Sequence, residues 1–287
     1  MKFIKKHKRF LIVLSVLLVL FITLIILLFT VFSLKKVDVE LETEYKNLTP
    51  EIQLQIADEI SLGGTVFFKN KYEIIKNIEK KYPYAKVVNI ETVFPNKFVI
   101  HLAEREELYA ISNLNKTCIL DSDLKILKIE DNSFISTNNN PILLNFFDLE
   151  FYITQFKVGL FVNLDGLSNE QDTLLKNSEF ILNNLINCFQ VNNKNSVDLK
   201  ALFKNINFET YIDYRSGEVS VKAVISDFND FQINILSPMQ NLEDKIGKML
   251  YAYEKILTEN PAKLTTHSMT VFTNTSGENL VIIDEKV

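Results

Sequence analysis

The chain opens with two contrasting patterns. Residues 1–9 are basic, and residues 10–34 then run for 25 positions without a charge. At about 1.5 Å per residue, a helix of that length extends roughly 37 Å, enough to cross a ~30 Å hydrocarbon core with some tilt. A charge placed in that core is costly, so its absence over the whole run points to a membrane span. A cleaved signal peptide would instead carry an apolar stretch of about 7–15 residues ending in a small-residue site. Here the run ends Val31-Phe32-Ser33-Leu34-Lys35, with no A-x-A pattern. The expectation is therefore an uncleaved transmembrane helix over 10–34. Lys2, Lys5, Lys6, Lys8 and Arg9 precede it, against Lys35 and Lys36 just after. The positive-inside bias then puts residues 1–9 in the cytoplasm as a basic tail and the body of the protein outside.

The pattern changes period directly after the anchor. Val37, Val39 and Leu41 alternate with Asp38, Glu40 and Glu42, as in a half-buried strand. Thr49 is placed as an N-cap, Pro50 as the first helical residue and Glu51 as a partner of the helix dipole. Ile52, Ile56 and Ile60 form that helix's apolar face. Gly63-Gly64 breaks the helix, and Val66-Phe67-Phe68 makes an apolar link. Asn70 and Glu73 have capping-box spacing for a second helix striped by Ile74, Ile75, Ile78 and Tyr82 and ended by Pro83. A hairpin follows. Val88, Ile90 and Thr92 alternate up one arm, Phe94-Pro95-Asn96-Lys97 turns with proline at its second position, and Phe98, Ile100 and Leu102 alternate down the other. His101 falls on the opposite face, which reads as solvated. The order is β-α-α-β-β.

These residues carry a resemblance. Residues 63–111, GGTVFFKNKYEIIKNIEKKYPYAKVVNIETVFPNKFVIHLAEREELYAI, resemble the POTRA domain of the FtsQ/DivIB family of bacterial cell-division proteins. The link with Gly64, Phe67 and Phe68, the KYPYAKVV run, the FPNKFVIHLAERE hairpin and Tyr109-Ala110 stand in the family's order. Gly64, Phe67, Phe68, Pro83 and Pro95 read as turn and core residues, so they mark the fold more than a partner surface.

From residue 106 the pattern is mostly strands. Thr117–Leu120 and Leu124–Leu127 flank the turn Asp121-Ser122-Asp123, and TCILDSDLKIL resembles the family's entry into its β domain. Residues 128–140 read as a polar loop, followed by Pro141 and an apolar stretch through Val162. Ser168 and Gln171 have capping-box spacing for a helix striped by Leu174, Ile181, Leu185 and Phe189. Residues 190–200 read as an Asn-rich loop. Ile206, Phe208, Thr210, Ile212 and Tyr214 alternate toward the turn Arg215-Ser216-Gly217, and Val219, Val221, Ala223 and Ile225 alternate away. Phe231, Ile233 and Ile235 make another strand. A helix over 242–258 has Ile246, Met249, Leu250, Tyr253 and Leu257 inward, and its EDKIGKML resembles a family helix that carries a lysine, here Lys245. Met269–Thr273 and Leu280–Ile283 are the last strands, and no tail of consequence is expected beyond them. The fold class is α+β: a transmembrane helix, a POTRA-like β-α-α-β-β domain over 35–105, and a mostly antiparallel β domain with flanking helices over 106–287.

Composition narrows the chemistry. Outside the first 34 residues, 26 Lys/Arg face all 36 Asp/Glu. An acidic exterior disfavours nucleic acid, whose phosphates need a basic surface. Cys118 and Cys188 are able to pair outside the cell, but spacing alone leaves the point open. His7, His101 and His267 are scattered, and no C-x-x-C or zinc spacing occurs, so no metal and no cofactor are expected. There is no G-x-S-x-G, P-loop or dinucleotide fingerprint. Glu106-Glu107 and Asp121/Asp123 are pairs expected by chance among 36 acids, and the latter read as turn formers. The expectation is a binding protein without catalytic residues or a small-molecule substrate.

Binding without a motif suits strand addition at an open sheet edge. The edges expected to be open are the first strand of the POTRA-like domain and the final strands of the β domain. The resemblance implies a scaffold at the division septum that binds FtsL-like and FtsB/DivIC-like bitopic coiled-coil proteins. Through them it influences FtsW and its transpeptidase. It also implies a partner contact at the last strand, for which Phe272, Thr273, Asn274, Ser276 and Gly277 are the candidates. A POTRA-bearing adaptor of a secretion or sporulation channel is the alternative, and ring assembly would distinguish it.

Overall fold

In the computed structural model the apolar run is a single helix, α1 (Lys2–Thr30). The structure describes residues 2–41, 46–113, 116–131, 137, 140–146, 156–162, 199–213, 217, 219–237 and 240–286. Ile12–Thr30 has a mean hydropathy of 3.4 and is long and apolar enough to cross a bilayer. The helix differs from the 10–34 span at both ends. It begins at Lys2, within the basic tail, and stops at Thr30, because the backbone of 32–34 is taken up by another partner. The Leu34 N–H donates to Gly64 C=O (2.9 Å), Gly63 N–H to Leu34 C=O (2.8 Å) and Val66 N–H to Phe32 C=O (2.9 Å). Gly63 and Gly64 reach this pairing with φ of +82° and +67°, a conformation that costs an L side chain roughly 1–2 kcal/mol.

The chain divides into two units, Met1–Arg105 and Glu106–Val287. In the first, β1 (Lys36–Leu41), α2 (Pro50–Glu59), α3 (Lys71–Lys81), β2 (Ala85–Val93) and β3 (Lys97–Glu104) follow in the expected order. The sheet order is β1-β3-β2, with β1 parallel and β2 antiparallel to the central β3. Phe98, Ile100 and Leu102 are therefore fully buried, packed against Ile56 of α2 and Ile78 of α3. Asn70 caps α3 by accepting from the Glu73 N–H (3.2 Å). Thr49 is the N-cap of α2 by position, but its side chain makes no capping bond. Val88 does not share the inward face with Ile90. A bulge between Val87 and Asn89 turns Val88 outward and brings Val87 against the core. The Phe94–Pro95 peptide is cis, unlike the turn drawn from the sequence. His101 is half-buried on the outer face, 3.7 Å from Glu40 and 3.6 Å from Glu91.

Two acids and a base close the far end of this unit. Glu104 accepts from the Asn47 N–H (3.0 Å), the Asn47 side-chain amide (2.7 Å) and the Leu48 N–H (3.1 Å), fixing the approach to α2. Arg105 is buried and donates to Glu79 Oε2 (3.0 Å), whose other oxygen accepts the Val87 N–H (2.9 Å). The AERE run is thus built into the frame.

Among the described residues the second unit holds nine strands: β4 (Tyr109–Asn113), β5 (Lys116–Leu120), β6 (Ile126–Glu130), β7 (Ile142–Phe146), β8 (Phe203–Ile212), β9 (Val219–Asp227), β10 (Gln232–Leu236), β11 (His267–Thr273) and β12 (Asn279–Glu285). They form one sheet in the order β12-β11-β10-β9-β8-β7-β4-β5-β6. Most neighbours are antiparallel, but β10/β11, β7/β8 and β4/β7 are parallel. Two short departures from the expected loops follow. β6 continues to Glu130, and a four-residue helix, α4 (Leu199–Leu202), precedes β8. The helix expected over 168–189, with Cys188, lies outside the described residues, as do Tyr214 and the turn at 215–216.

Helix α5 (Leu242–Glu259) makes the crossover between the parallel strands β10 and β11, and a short α6 (Lys263–Thr266) leads into β11. Ile246, Met249 and Tyr253 face the sheet as expected; Ile256 completes the stripe, and Leu257 is exposed instead. The core joins these to Phe208, Phe231, Ile233, Ile235, Met269 and Val271. Cys118 is buried in the same core, which pushes its thiol up to about 11. Asp121 forms its turn by accepting the Asp123 and Lys125 N–H groups (2.9 and 2.8 Å).

Candidate partner-binding site

A sheet edge receives a partner only where its outer hydrogen-bonding groups are accessible. The nine-stranded sheet ends in β6 and β12, and the two ends differ. Beside β6, the segment 159–162 returns: Ile126 N–H donates to Leu160 C=O and Gly159 N–H to Ile126 C=O, both at 2.8 Å. Lys125 and Phe161 form an isolated bridge there. β12 has β11 on one side and, among the described residues, no strand on the other.

The side chains of β11 and β12 divide by alternation. Met269 and Val271 enter the core under α5, with Val281 and Ile283 packed against it. Thr270 pairs with Ile282, and Phe272 with Leu280, on the opposite face. Leu280 and Ile282 are exposed, and Phe272 is half-buried. The edge therefore shows an apolar strip on one face. On the other, a groove separates β12 from α5, lined by Gly247, Lys248 and Tyr251 of the helix and by Asn279 and Val281 of the strand. A strand laid along β12 would have the strip on one side and α5 on the other.

The five sequence candidates lie just before this edge. Phe272 and Thr273 end β11, and Asn274, Ser276 and Gly277 are in the connecting turn. The hairpin brings all five to one end of the β11–β12 ribbon, but their tasks differ. Asn274 Oδ1 accepts the Ser276 and Glu278 N–H groups (both 2.9 Å), and Gly277 takes φ +83°, so these two build the turn. Thr273 Oγ1 donates to Asn279 Oδ1 (2.7 Å). Asn279 in turn donates to Asp244 Oδ2 (2.6 Å), which holds that carboxyl below the usual carboxylate range. Lys248 Nζ donates to Asn279 C=O (2.9 Å), so the start of β12 is fastened to α5. Phe272 presents an apolar side chain and Ser276 is exposed. Sequence reasoning missed Leu280, Ile282 and Tyr251. Alternation marked the strand, and nothing local told which face of it lacks a cover.

Buried polar groups set the other end of the frame. Asp227 accepts the Asn229 and Phe231 N–H groups (both 2.8 Å) and the Tyr253 hydroxyl (2.8 Å). Lys245 donates to Leu236 C=O and Ser237 C=O (both 2.9 Å), and burial lowers it to about 8. These tie α5 to the β9–β10 hairpin. Among the described residues no three His, Cys, Asp or Glu are grouped to hold a metal.

Comparison with known proteins adds to this architecture. Residues 32–105 match the family described as POTRA domain, FtsQ-type. The first unit is thus a POTRA domain, and the match starts where the chain leaves α1. Cell division protein DivIB of Clostridium botulinum strain Loch Maree is 25% identical over 264 residues, spanning 88% of this chain and 92% of that protein. Over most of its length the chain is thus similar to a DivIB cell-division protein. A second C. botulinum DivIB, from strain Hall, is 26% identical over 265 residues with the same coverage. DivIB of Clostridium tetani is 32% identical over 101 residues, 35% of this chain and 36% of that protein. Since the C. botulinum matches run through both units, the nine-stranded β domain is part of the DivIB likeness and not an addition to it.

Proposed function

We propose that this chain is a non-catalytic, membrane-anchored scaffold of the bacterial division machinery that captures a small bitopic partner by strand addition to β12. The observation that carries the reading is the outer edge of β12, which among the described residues has no strand beside it, flanked by Phe272, Leu280 and Ile282 on one face and by the α5 groove on the other. Main-chain bonding supplies affinity there, while alternate side chains supply selectivity. The charge pattern favours a cytoplasmic amino terminus and an extracytoplasmic body, where FtsL-like and FtsB/DivIC-like coiled-coil proteins emerge from the membrane. Through such proteins the scaffold would influence the FtsW–transpeptidase pair at the septum.

The test is photocrosslinking in dividing cells. A benzophenone amino acid at Ile282 or Leu280 is expected to capture a bitopic coiled-coil protein, while one at Lys128 of β6 captures none. A fluorescent fusion at the amino terminus should gather at midcell. Absence of crosslinks from β12, or a uniform membrane distribution with normal septation on depletion, overturns the reading.

A further inference from the structure

The POTRA domain has two poles. At one, α1 enters, β1 and β3 begin, and the β2–β3 turn lies beside them: Lys35 N–H donates to Asn96 C=O (2.8 Å). At the other, Glu104 holds Asn47 and Leu48. The seven steps from Lys97 to Glu104 separate the poles by roughly 23 Å.

The entry pole carries phenylalanines that face outward. Val66 is buried, but Phe67, Phe68 and Phe94 are 50%, 75% and 60% exposed, with Leu62 60% exposed nearby. Phe32, Phe67 and Phe94 form a ring cluster with centroids 5.2 Å (32–67), 6.4 Å (32–94) and 5.6 Å (67–94) apart. An exposed apolar patch of this kind marks a contact surface. Its position names the occupant. Phe32 lies two residues past Thr30, the last residue of the apolar span, so about 3 Å of helical rise beyond it. The pairing of 32–34 with 63–66 and of Lys35 with Asn96 holds both loops at that same level. The patch continues the apolar surface of α1, and the exposed Lys35 and Lys36 follow it, as cations do at lipid phosphates.

We infer that Phe67, Phe68 and Phe94, with Leu62, insert into the interfacial layer of the bilayer around α1, so that the POTRA domain is seated on the membrane by its entry pole and does not swing on a tether. The inference rests on the anchoring of α1 proposed above. Turn and core roles suffice for Val66, Gly63 and Gly64; they do not explain rings aimed at solvent.

The chain has no tryptophan, which makes single-tryptophan reporters clean. The full chain is reconstituted in phosphatidylcholine–phosphatidylglycerol vesicles carrying phosphatidylcholine brominated near the carbonyl end or near the chain end. Phe68→Trp and Phe94→Trp replace exposed rings; Lys46→Trp reports the far pole and Leu18→Trp the helix. Emission from residues 68 and 94 is expected to be blue-shifted and quenched by the shallow bromines, with residue 46 unquenched and residue 18 quenched by the deep ones. If residue 18 is quenched while 68 and 94 behave like 46, α1 is an anchor and the seating is wrong. If residue 18 is unquenched, the anchoring fails and takes the seating with it. A blue shift at 68 and 94 without quenching means that protein, such as a second copy of the chain, covers the patch, and this too overturns the inference.

Discussion

Phe272 and Leu280 stand opposite each other across β11 and β12, on the face of the sheet turned away from α5. Phe272 is one step from Val271, which is wholly buried, and Leu280 one step from Val281, which packs on the core. Their pairing is what makes the last hairpin apolar on both faces. A globular core needs one such face; on the second, Leu280 and Ile282 are exposed.

Phe272→Asp and Leu280→Asp should each weaken partner capture without unfolding the chain. A buried apolar anchor of an interface contributes about 1–3 kcal/mol, so affinity is expected to fall tenfold or more. Co-purification with the bitopic partner checks capture, and far-UV circular dichroism checks folding. Ser276→Ala, at the exposed tip of the turn, should change neither.

Asp227→Ala should destabilise the β domain by roughly 2–4 kcal/mol, because it orphans two backbone N–H groups and the Tyr253 hydroxyl in a buried place. Tyr253→Phe removes one of these bonds and keeps the ring contacts with Phe203 and Phe231, so its cost should be about 1 kcal/mol. Urea denaturation of the two variants would order them.

Lys245 supplies a pH signature. Its folded value is lowered to about 8 from the model-compound 10.5 by burial. Above pH 8 the unfolded chain binds a proton there that the folded chain does not, so stability rises with pH. Below pH 8 both states hold the proton and the burial cost is fully present. From pH 8 to about 9.5, short of the ordinary tyrosine value, the urea midpoint of the wild type should rise relative to Lys245→Met. A constant difference between the two would contradict the assignment.

Arg105→Ala should destabilise the POTRA domain by about 3 kcal/mol, since it leaves Glu79 half-buried without its cation. Lys36→Ala, which removes an exposed partner of Asp38, should leave the unfolding midpoint close to that of the wild type. Thermal unfolding of the two variants gives the comparison.

The elements of the POTRA domain were legible because each carries its own local signal. Asn70 and Glu73 start α3, Gly63-Gly64 break the chain before it, and Phe98, Ile100 and Leu102 alternate on a strand covered on one face. Val88 was misplaced because a bulge inserts one residue into the pairing, and a period-2 pattern has no mark for that. Leu257 was misplaced because adjacent apolar residues at 256 and 257 leave the stripe of α5 ambiguous by one position.

The candidate site was legible only in its neighbourhood. Asn274 and Gly277 are a strong turn signature, and they proved to be turn builders. The uncovered edge that gives the hairpin its interest has no local signature at all.

The sequence alone determined a charge-free helix of membrane length, the β-α-α-β-β order after it, and the strand-rich second half, since periodicity and turn chemistry are written in neighbouring residues. Only the tertiary structure decided that β12 ends the sheet among the described residues, that 159–162 bonds to Ile126 at the start of β6, and that Phe32 meets Phe67 and Phe94. These depend on pairings between residues tens of positions apart, and such pairings are settled by which faces and edges the whole chain manages to cover.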